Sequence, residues 1–241
     1  MCSSDLLFQP TCHYAMGGIP TDVDGRVCAD EKNSPVEGLY AAGECTCVSV
    51  HGANRLGCNS LLDLLVFGRR SGSAMKKEIA ARGFASTPND ALKHVAQRIE
   101  KLANQEGGER VDPLRRKMHS VMMEYGSVFR DEQGRKKGIE SIRSLKKAYQ
   151  TIELVDKGKT YNYELMEAVE LGNQLDLAEV ILMSALHRRE SRGAHFREDF
   201  PARADRYYLK HTLVFKKARE GLVVKYKPVK ITRFQPQARI Y

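Results

Sequence analysis

The sequence lacks any long apolar segment. Its most apolar stretch, residues 61–67, is far shorter than the ~20 residues needed to cross a bilayer. Residues 1–10 have neither a basic start nor a long apolar run, so no signal peptide is predicted there. The 241 residues suffice for one large domain or two small ones with real cores.

Cysteines are confined to the first quarter of the chain. They are Cys2, Cys12, Cys28, Cys45, Cys47 and Cys58. No later cysteine could complete a disulfide framework. Cys45 and Cys47 lack the C-x-x-C spacing of zinc and redox sites, so no metal site is predicted. We expect small buried thiols in a reducing compartment.

The formal net charge of +9 and the pI near 9.2 suggest an acidic partner. The basic residues are scattered, however, and aromatic residues do not interleave with them as on a nucleic-acid surface. Solvated helix faces and a basic tail are therefore predicted, with no nucleic-acid partner. The alternative of a different class is a basic helical binding module built on residues 88–241, which would bind nucleic acid in a salt-sensitive way.

The first part of the chain is rich in glycine and small residues. Residues 36–42 predict a buried strand that delivers Glu44 to a site at its C-terminal end. A helix is predicted from about residue 60 to about 81, with Ser60 and Asp63 as a capping box. Its first two turns are apolar on nearly every side, so the helix is expected to be buried.

The second part of the chain has a helical pattern. Four helices are predicted there, at about 90–105, 113–125, 138–156 and 161–188. Glycines at 107–108, 134 and 158 mark the short connections of an antiparallel bundle. In the irregular tail, short strands are predicted at 213–215 and 222–224.

Two constellations could carry chemistry. His13 beside Gly17 and Gly18 could offer imidazole and backbone N–H groups to an anion, or could be structural. Arg55, in a loop of small residues, could bind a carboxylate through two parallel hydrogen bonds. The helix start that follows would favour an anion or a cofactor that gains negative charge. Equally, the Asn and Ser residues of this loop could merely cap the helix.

These motifs, taken together, resemble the succinate dehydrogenase and fumarate reductase flavoprotein family. The resemblance rests on His13-Tyr14 with Gly17-Gly18, on Gly-Leu-Tyr-Ala-Ala-Gly-Glu at 38–44 and on His-Gly-Ala-Asn-Arg-Leu-Gly-Cys-Asn-Ser-Leu at 51–61. It extends through 63–69 and to the tail motifs at 190–197 and 199–201. It covers residues 10–241. The three site motifs are specific as a set, although one alone would not be.

The resemblance implies a role for each matching residue. His13 and Arg55 match the residues that bind the substrate carboxylate. Glu44 matches the acid that hydrogen-bonds the ribityl region of FAD, and Ser60 and Leu61 match the helix start that meets the flavin ring. The residues expected to contact the cofactor are Glu44, Arg55, Asn59, Ser60 and Leu61.

Other family features are missing from the sequence. No G-x-G-x-x-G follows a strand. The family places this turn, the His that carries flavin covalently and the proton-transferring Arg before residue 10. We therefore expect a fragment of a protein more than twice as long, with no catalytic proton-transfer residue, no tight FAD binding and no turnover alone. Residues 1–9 are interpreted as a non-native start, because residues 1–6 resemble translated sequencing adapter.

The predicted fold class is α+β. Residues 1–84 would be the C-terminal remnant of an α/β FAD-binding domain, 85–190 a helical bundle, and 191–241 an irregular tail with short strands that packs on the preceding domains. The resemblance favours succinate oxidation by hydride transfer to FAD, with electrons passed to an iron–sulfur subunit. Membrane-anchor subunits would hold the complex at the cytoplasmic or matrix face. Fumarate reductase and L-aspartate oxidase are the close alternatives.

Overall fold

The computed structural model describes residues 14–218 and 220–237. The chain divides into two compact units, residues 1–84 and 85–241. The predicted α+β class is confirmed, since short strands precede a helical region. The elements of the first unit are β1 (Ile19–Pro20), β2 (Arg26–Cys28), β3 (Pro35–Tyr40), β4 (Thr46–Cys47) and α1 (Gly57–Arg82).

The strands of the first unit form two small ribbons. β1 pairs with β4 in parallel, and β2 pairs with β3 in antiparallel. Gly18 is required where β1 approaches β4, because a Cβ there would lie 2.6 Å from the Cys45 carbonyl oxygen. The prediction that residues 36–42 form a buried strand is wrong. Most of β3 is exposed, because a two-stranded ribbon leaves its faces to solvent unless another layer covers them.

Helix α1 begins earlier than predicted and is not buried. Leu61 and Leu65 are 63% and 68% exposed, because no layer of the described first unit packs on that face. The capping box is also wrong. Ser60 lies inside the helix, and the carboxylate of Asp63 contacts other side chains rather than the helix start. The predicted end is confirmed, since Gly83 follows the helix with φ of 73°.

The second unit contains five helices and a hairpin in its described part. They are α2 (Lys93–Asn104), α3 (Val111–Tyr125), α4 (Glu132–Tyr149), α5 (Tyr163–His187), α6 (Asp205–Tyr208), β5 (Lys210–Lys217) and β6 (Gly221–Pro228). β5 and β6 pair in antiparallel register along their whole length, beyond the predicted strands. Residues 191–237 lie in the same unit as the helices.

Helix α4 starts and ends about six residues before its predicted bounds. Asp131 caps it, because its carboxylate accepts a hydrogen bond from the Gly134 N–H at 2.8 Å. Gly134 was interpreted as a break but lies in this first turn. Beyond the helix, Ile152 and Leu154 are fully buried without being helical. Their burial produced the apolar pattern that was mistaken for a longer helix.

The core of the second unit lies between α3, α4 and α5. Its buried members include Leu114, Met118, Ile139, Ile142, Leu171, Leu175 and Leu182. Gly138 allows α4 to pack closely, because a Cβ there would lie 2.8 Å from the Tyr125 Cβ and 3.2 Å from Leu182. The helices are therefore held by apolar burial at close range.

His195, in the segment between α5 and α6, is held in its neutral form. Its Nε2 lies 3.0 Å from the Arg188 carbonyl, and its Nδ1 lies 2.9 Å from Arg130 Nη1. A donor on Arg130 requires that Nδ1 accept, so Nε2 carries the proton. Burial, together with the charges of Arg130, Arg188 and Arg197, lowers the pKa of His195 to about 4, against the hydrogen bond to the Arg188 carbonyl.

We expect the second unit to lose stability as the pH falls from about 6.5 to about 4. The unfolded ring gains a proton near pH 6.5, whereas the folded ring resists it, so about 2–3 kcal/mol is lost across this window. Burial also lowers the pKa of His211, which adds to the loss. Urea unfolding followed by circular dichroism across this range should show a shallower pH slope for His195→Gln. An unchanged slope would contradict the assignment.

Candidate functional site

Arg55 is buried in the loop before α1, although it carries a charge. Its side chain is only 4% exposed. Nη1 donates to Asp63 Oδ2 at 2.9 Å, and Nη2 donates to the carbonyls of Thr46 at 3.2 Å and Glu44 at 3.4 Å. The Asp63 side chain is 1% exposed and supplies the countercharge. A buried guanidinium needs such a partner, because an unpaired charge is costly away from water.

His51 shares the same carboxylate oxygen. Its Nε2 lies 2.9 Å from Asp63 Oδ2. The Asn59 amide nitrogen donates to the Val50 carbonyl at 3.1 Å and lies 3.1 Å from His51 Nδ1. An amide nitrogen can only donate, so His51 Nδ1 accepts the hydrogen bond from Asn59. Nε2 therefore carries the ring proton and donates a hydrogen bond to Asp63 Oδ2. Asn59, His51 and Asp63 therefore form one hydrogen-bonded chain that ends at Arg55.

The first turn of α1 leaves backbone donors available. Its N-cap, Leu56, provides no side-chain hydrogen bond, and no acidic residue lies in the first turn. The N–H groups of Gly57, Cys58 and Asn59 have no partner within the helix. The Ser60 hydroxyl is buried without a partner among the described residues. This helix start suits a group that accepts hydrogen bonds or gains negative charge.

Glu44 lies in the turn that follows β3, as predicted for an acid delivered by that strand. Its Oε1 accepts a hydrogen bond from the Ala15 N–H at 2.9 Å, and its side chain is otherwise exposed. The carboxylate therefore keeps acceptor capacity for a hydroxyl donor. A cavity of about 20 Å³ lies beside Arg55 and His51, between residues 16–17 and 46–52.

The structure brings most of the predicted site residues into one region. Arg55, Glu44, Asn59 and Ser60 lie in or beside the loop and the first turn of α1, with Leu61 exposed on that turn. Their roles remain predictions. His13 lies outside the described residues.

Sequence reasoning missed that His51 and Asp63 belong to the site. His51 opens the same motif as Arg55, but Asp63 was interpreted as a helix cap. The expectation of buried thiols is wrong for Cys45 and Cys58, which are exposed on the turn after β3 and on the first turn of α1. Cys28 is buried as expected. The turn after β3 and the outward side of the first turn of α1 leave these two side chains in solvent.

Comparison with known proteins accounts for both units. The family model described as "Fumarate reductase flavoprotein C-term" matches residues 115–241, and the model of the FAD binding domain matches residues 4–61. No helix in the described ranges is long and apolar enough to span a membrane.

Individual relatives agree with these matches. The succinate dehydrogenase flavoprotein subunit of Rickettsia bellii is 43% identical over 95% of this chain and 39% of its own length. The fumarate reductase flavoprotein subunit of Mycobacterium tuberculosis is 41% identical over 97% of this chain and 40% of its own. The chain thus spans about two-fifths of the length of these relatives.

A solved structure gives the same result. The quinol fumarate reductase of E. coli superposes with a TM-score of 0.85 at 37% identity, over 96% of this chain and 39% of that one. The FAD binding match ends at residue 61, in the first turns of α1, where the backbone donors lie. The chain belongs to the succinate dehydrogenase and fumarate reductase flavoprotein family, whose members are FAD-dependent oxidoreductases.

Proposed function

We propose that this chain is part of the flavoprotein subunit of a succinate dehydrogenase, which oxidises succinate to fumarate. The observation that carries the proposal is the buried Arg55, with its countercharge Asp63, next to the uncapped start of α1. Arg55 would bind one carboxylate of the dicarboxylate, with His13 as a second contact. This contact would position the substrate, and correct positioning lowers the barrier to hydride transfer.

The residues present fit FAD. The unpaired N–H groups of the first turn, together with Ser60, Leu61 and Asn59, would contact the flavin ring, and Glu44 would accept a hydrogen bond from the ribityl chain. When bound, FAD supplies the hydride acceptor. The positive end of α1 would stabilise negative charge on the cofactor and so favour its reduction.

The partners and location follow from the same proposal. Electrons would pass to an iron–sulfur subunit, and membrane-anchor subunits would hold the complex at the cytoplasmic or matrix face of an energy-conserving membrane. Two similar solved structures are quinol fumarate reductases, and a third is Sdh1 of Mycobacterium smegmatis in complex with UQ1, which supports this arrangement. We further propose that this chain does not catalyse the reaction alone, because it spans only about two-fifths of the length of its relatives.

A chimeric enzyme tests the proposed activity. Residues 10–241 would replace the matching segment of the Rickettsia bellii subunit, and kcat/KM would be measured with succinate, fumarate and L-aspartate. We expect succinate oxidation to be preferred. Arg55→Met should lower its kcat/KM by about a hundredfold or more, because a charged contact to the substrate is lost.

Arg82→Met is the matched control, because Arg82 is exposed and lies at the far end of α1. Bound FAD and thermal unfolding would be measured for each variant to separate binding from folding. Faster fumarate reduction would favour the fumarate reductase alternative, since such relatives are about as similar. A preference for L-aspartate, or an Arg55→Met enzyme with full activity, would contradict the proposal.

A further inference from the structure

The guanidinium of Arg55 has one edge that is firmly held and one that is not. Nη1 is held by the 2.9 Å contact to Asp63 Oδ2. Nη2 makes only long contacts, at 3.2 and 3.4 Å, to the carbonyls of Thr46 and Glu44. Within the described part of the chain, no hydrogen bond engages the Nε–H of Arg55. The Nε and Nη2 groups point the same way and form the fork that binds a carboxylate side-on.

Further hydrogen bonds support the contact between Arg55 Nη1 and Asp63. Asp63 Oδ2 accepts from both Arg55 and His51, and His51 is fixed in turn by the Asn59 amide. His51 and Arg55 also lie close together, with Nε2 and Nη1 3.1 Å apart. Two donors at this distance cannot hydrogen-bond each other, so both are aimed at the oxygen between them. The carboxylate thus sets the direction of the guanidinium plane.

We propose that Asp63 and His51 are positioning residues that hold Nη1 so that the Nε and Nη2 fork of Arg55 faces a ligand carboxylate. This inference rests on the proposed role of Arg55. A ligand carboxylate at this fork would replace the two long carbonyl contacts of Nη2 and leave the Asp63 contact of Nη1 in place.

A rival account gives Asp63 only the role of countercharge. Removing its negative charge would then strengthen the binding of any anion, since the charge of Arg55 would no longer be offset. Positioning predicts weaker binding, because without the Asp63 carboxylate the guanidinium of Arg55 can rotate and its Nε and Nη2 groups no longer face the ligand carboxylate. The two accounts differ in the sign of the effect.

The experiment uses the 241-residue chain and malonate as the dicarboxylate probe. NMR would follow the Arg55 Nε–H and Nη signals, assigned by their loss in Arg55→Lys. We expect Asp63→Asn to collapse the resolved Nη signals and to weaken malonate binding about tenfold. His51→Phe leaves the charge of Asp63 in place and should weaken malonate binding about threefold. Asp24→Asn removes an exposed partner of Arg70 and is the matched control, expected to change neither readout.

Each outcome decides the inference. Tighter malonate binding by Asp63→Asn, or wild-type signals and affinity in His51→Phe, would overturn positioning. His51→Phe also answers the question if Asp63→Asn fails to fold, which its amide spectrum would reveal. If malonate leaves the Arg55 signals of the wild-type chain unchanged, the proposed carboxylate role of Arg55 fails. The Nη signals of the variants still report whether Asp63 and His51 hold the guanidinium.

Discussion

Replacing Glu190 with glutamine is expected to lower the free energy of unfolding by about 3–5 kcal/mol. Its side chain is 0% exposed. It accepts from Arg192 Nε at 2.7 Å and Nη2 at 2.9 Å, from the Ala204 N–H at 2.8 Å and from Arg188 Nη1. Burial raises the pKa of Glu190, but these hydrogen bonds and charges outweigh it and hold the pKa below its usual range.

The loss follows from what the substitution leaves behind. Glutamine has nearly the same shape but no charge, so two largely buried guanidinium groups would lose their common partner. Urea unfolding followed by helical circular dichroism measures the change. Glu220→Gln is the matched control, because Glu220 is mostly exposed and pairs with Lys217 at the surface. The control should change stability by less than about 0.5 kcal/mol, and an equally small effect at Glu190 would contradict the prediction.

Replacing Arg135 with methionine is expected to stabilise the second unit by about 2–3 kcal/mol. Arg135 is 1% exposed, and its Nη2 donates to the Phe129 carbonyl at 3.2 Å. Its Nε and Nη1 are buried without a partner among the described residues. Burial, together with the charge of Arg130, lowers its pKa to about 10. Since the group stays protonated at pH 7, this lowering is a cost that the folded state carries.

Methionine keeps the unbranched apolar stem and removes the charge. The gain should appear as a higher urea midpoint with an unchanged slope against urea. Lys136→Met, next to it on α4, is the control, since Lys136 is exposed and pairs with Glu132 at the surface. If Arg135→Met proves less stable than wild type, buried water or another group satisfies this guanidinium in solution.

Most of the helical second unit could be predicted from sequence, because apolar periodicity is a local property. α3 and α5 lie within two residues of their predicted bounds. α4 was misplaced because Ile152 and Leu154 continue an apolar pattern after the helix has ended. Periodicity reports burial, and a buried extended segment can imitate a helix over a few residues.

The sequence by itself determined the family and predicted the region of the candidate site, because the motifs at 38–44 and 51–61 are specific and contiguous. Only the tertiary structure decided the partner of Arg55. Asp63 looks like a helix cap when its neighbours in sequence are considered, yet it balances a buried charge. The tertiary structure also decided that the buried Glu190 is fully hydrogen-bonded, whereas the buried Arg135 has few partners among the described residues. Burial and countercharge depend on residues that meet in space, which no local pattern specifies.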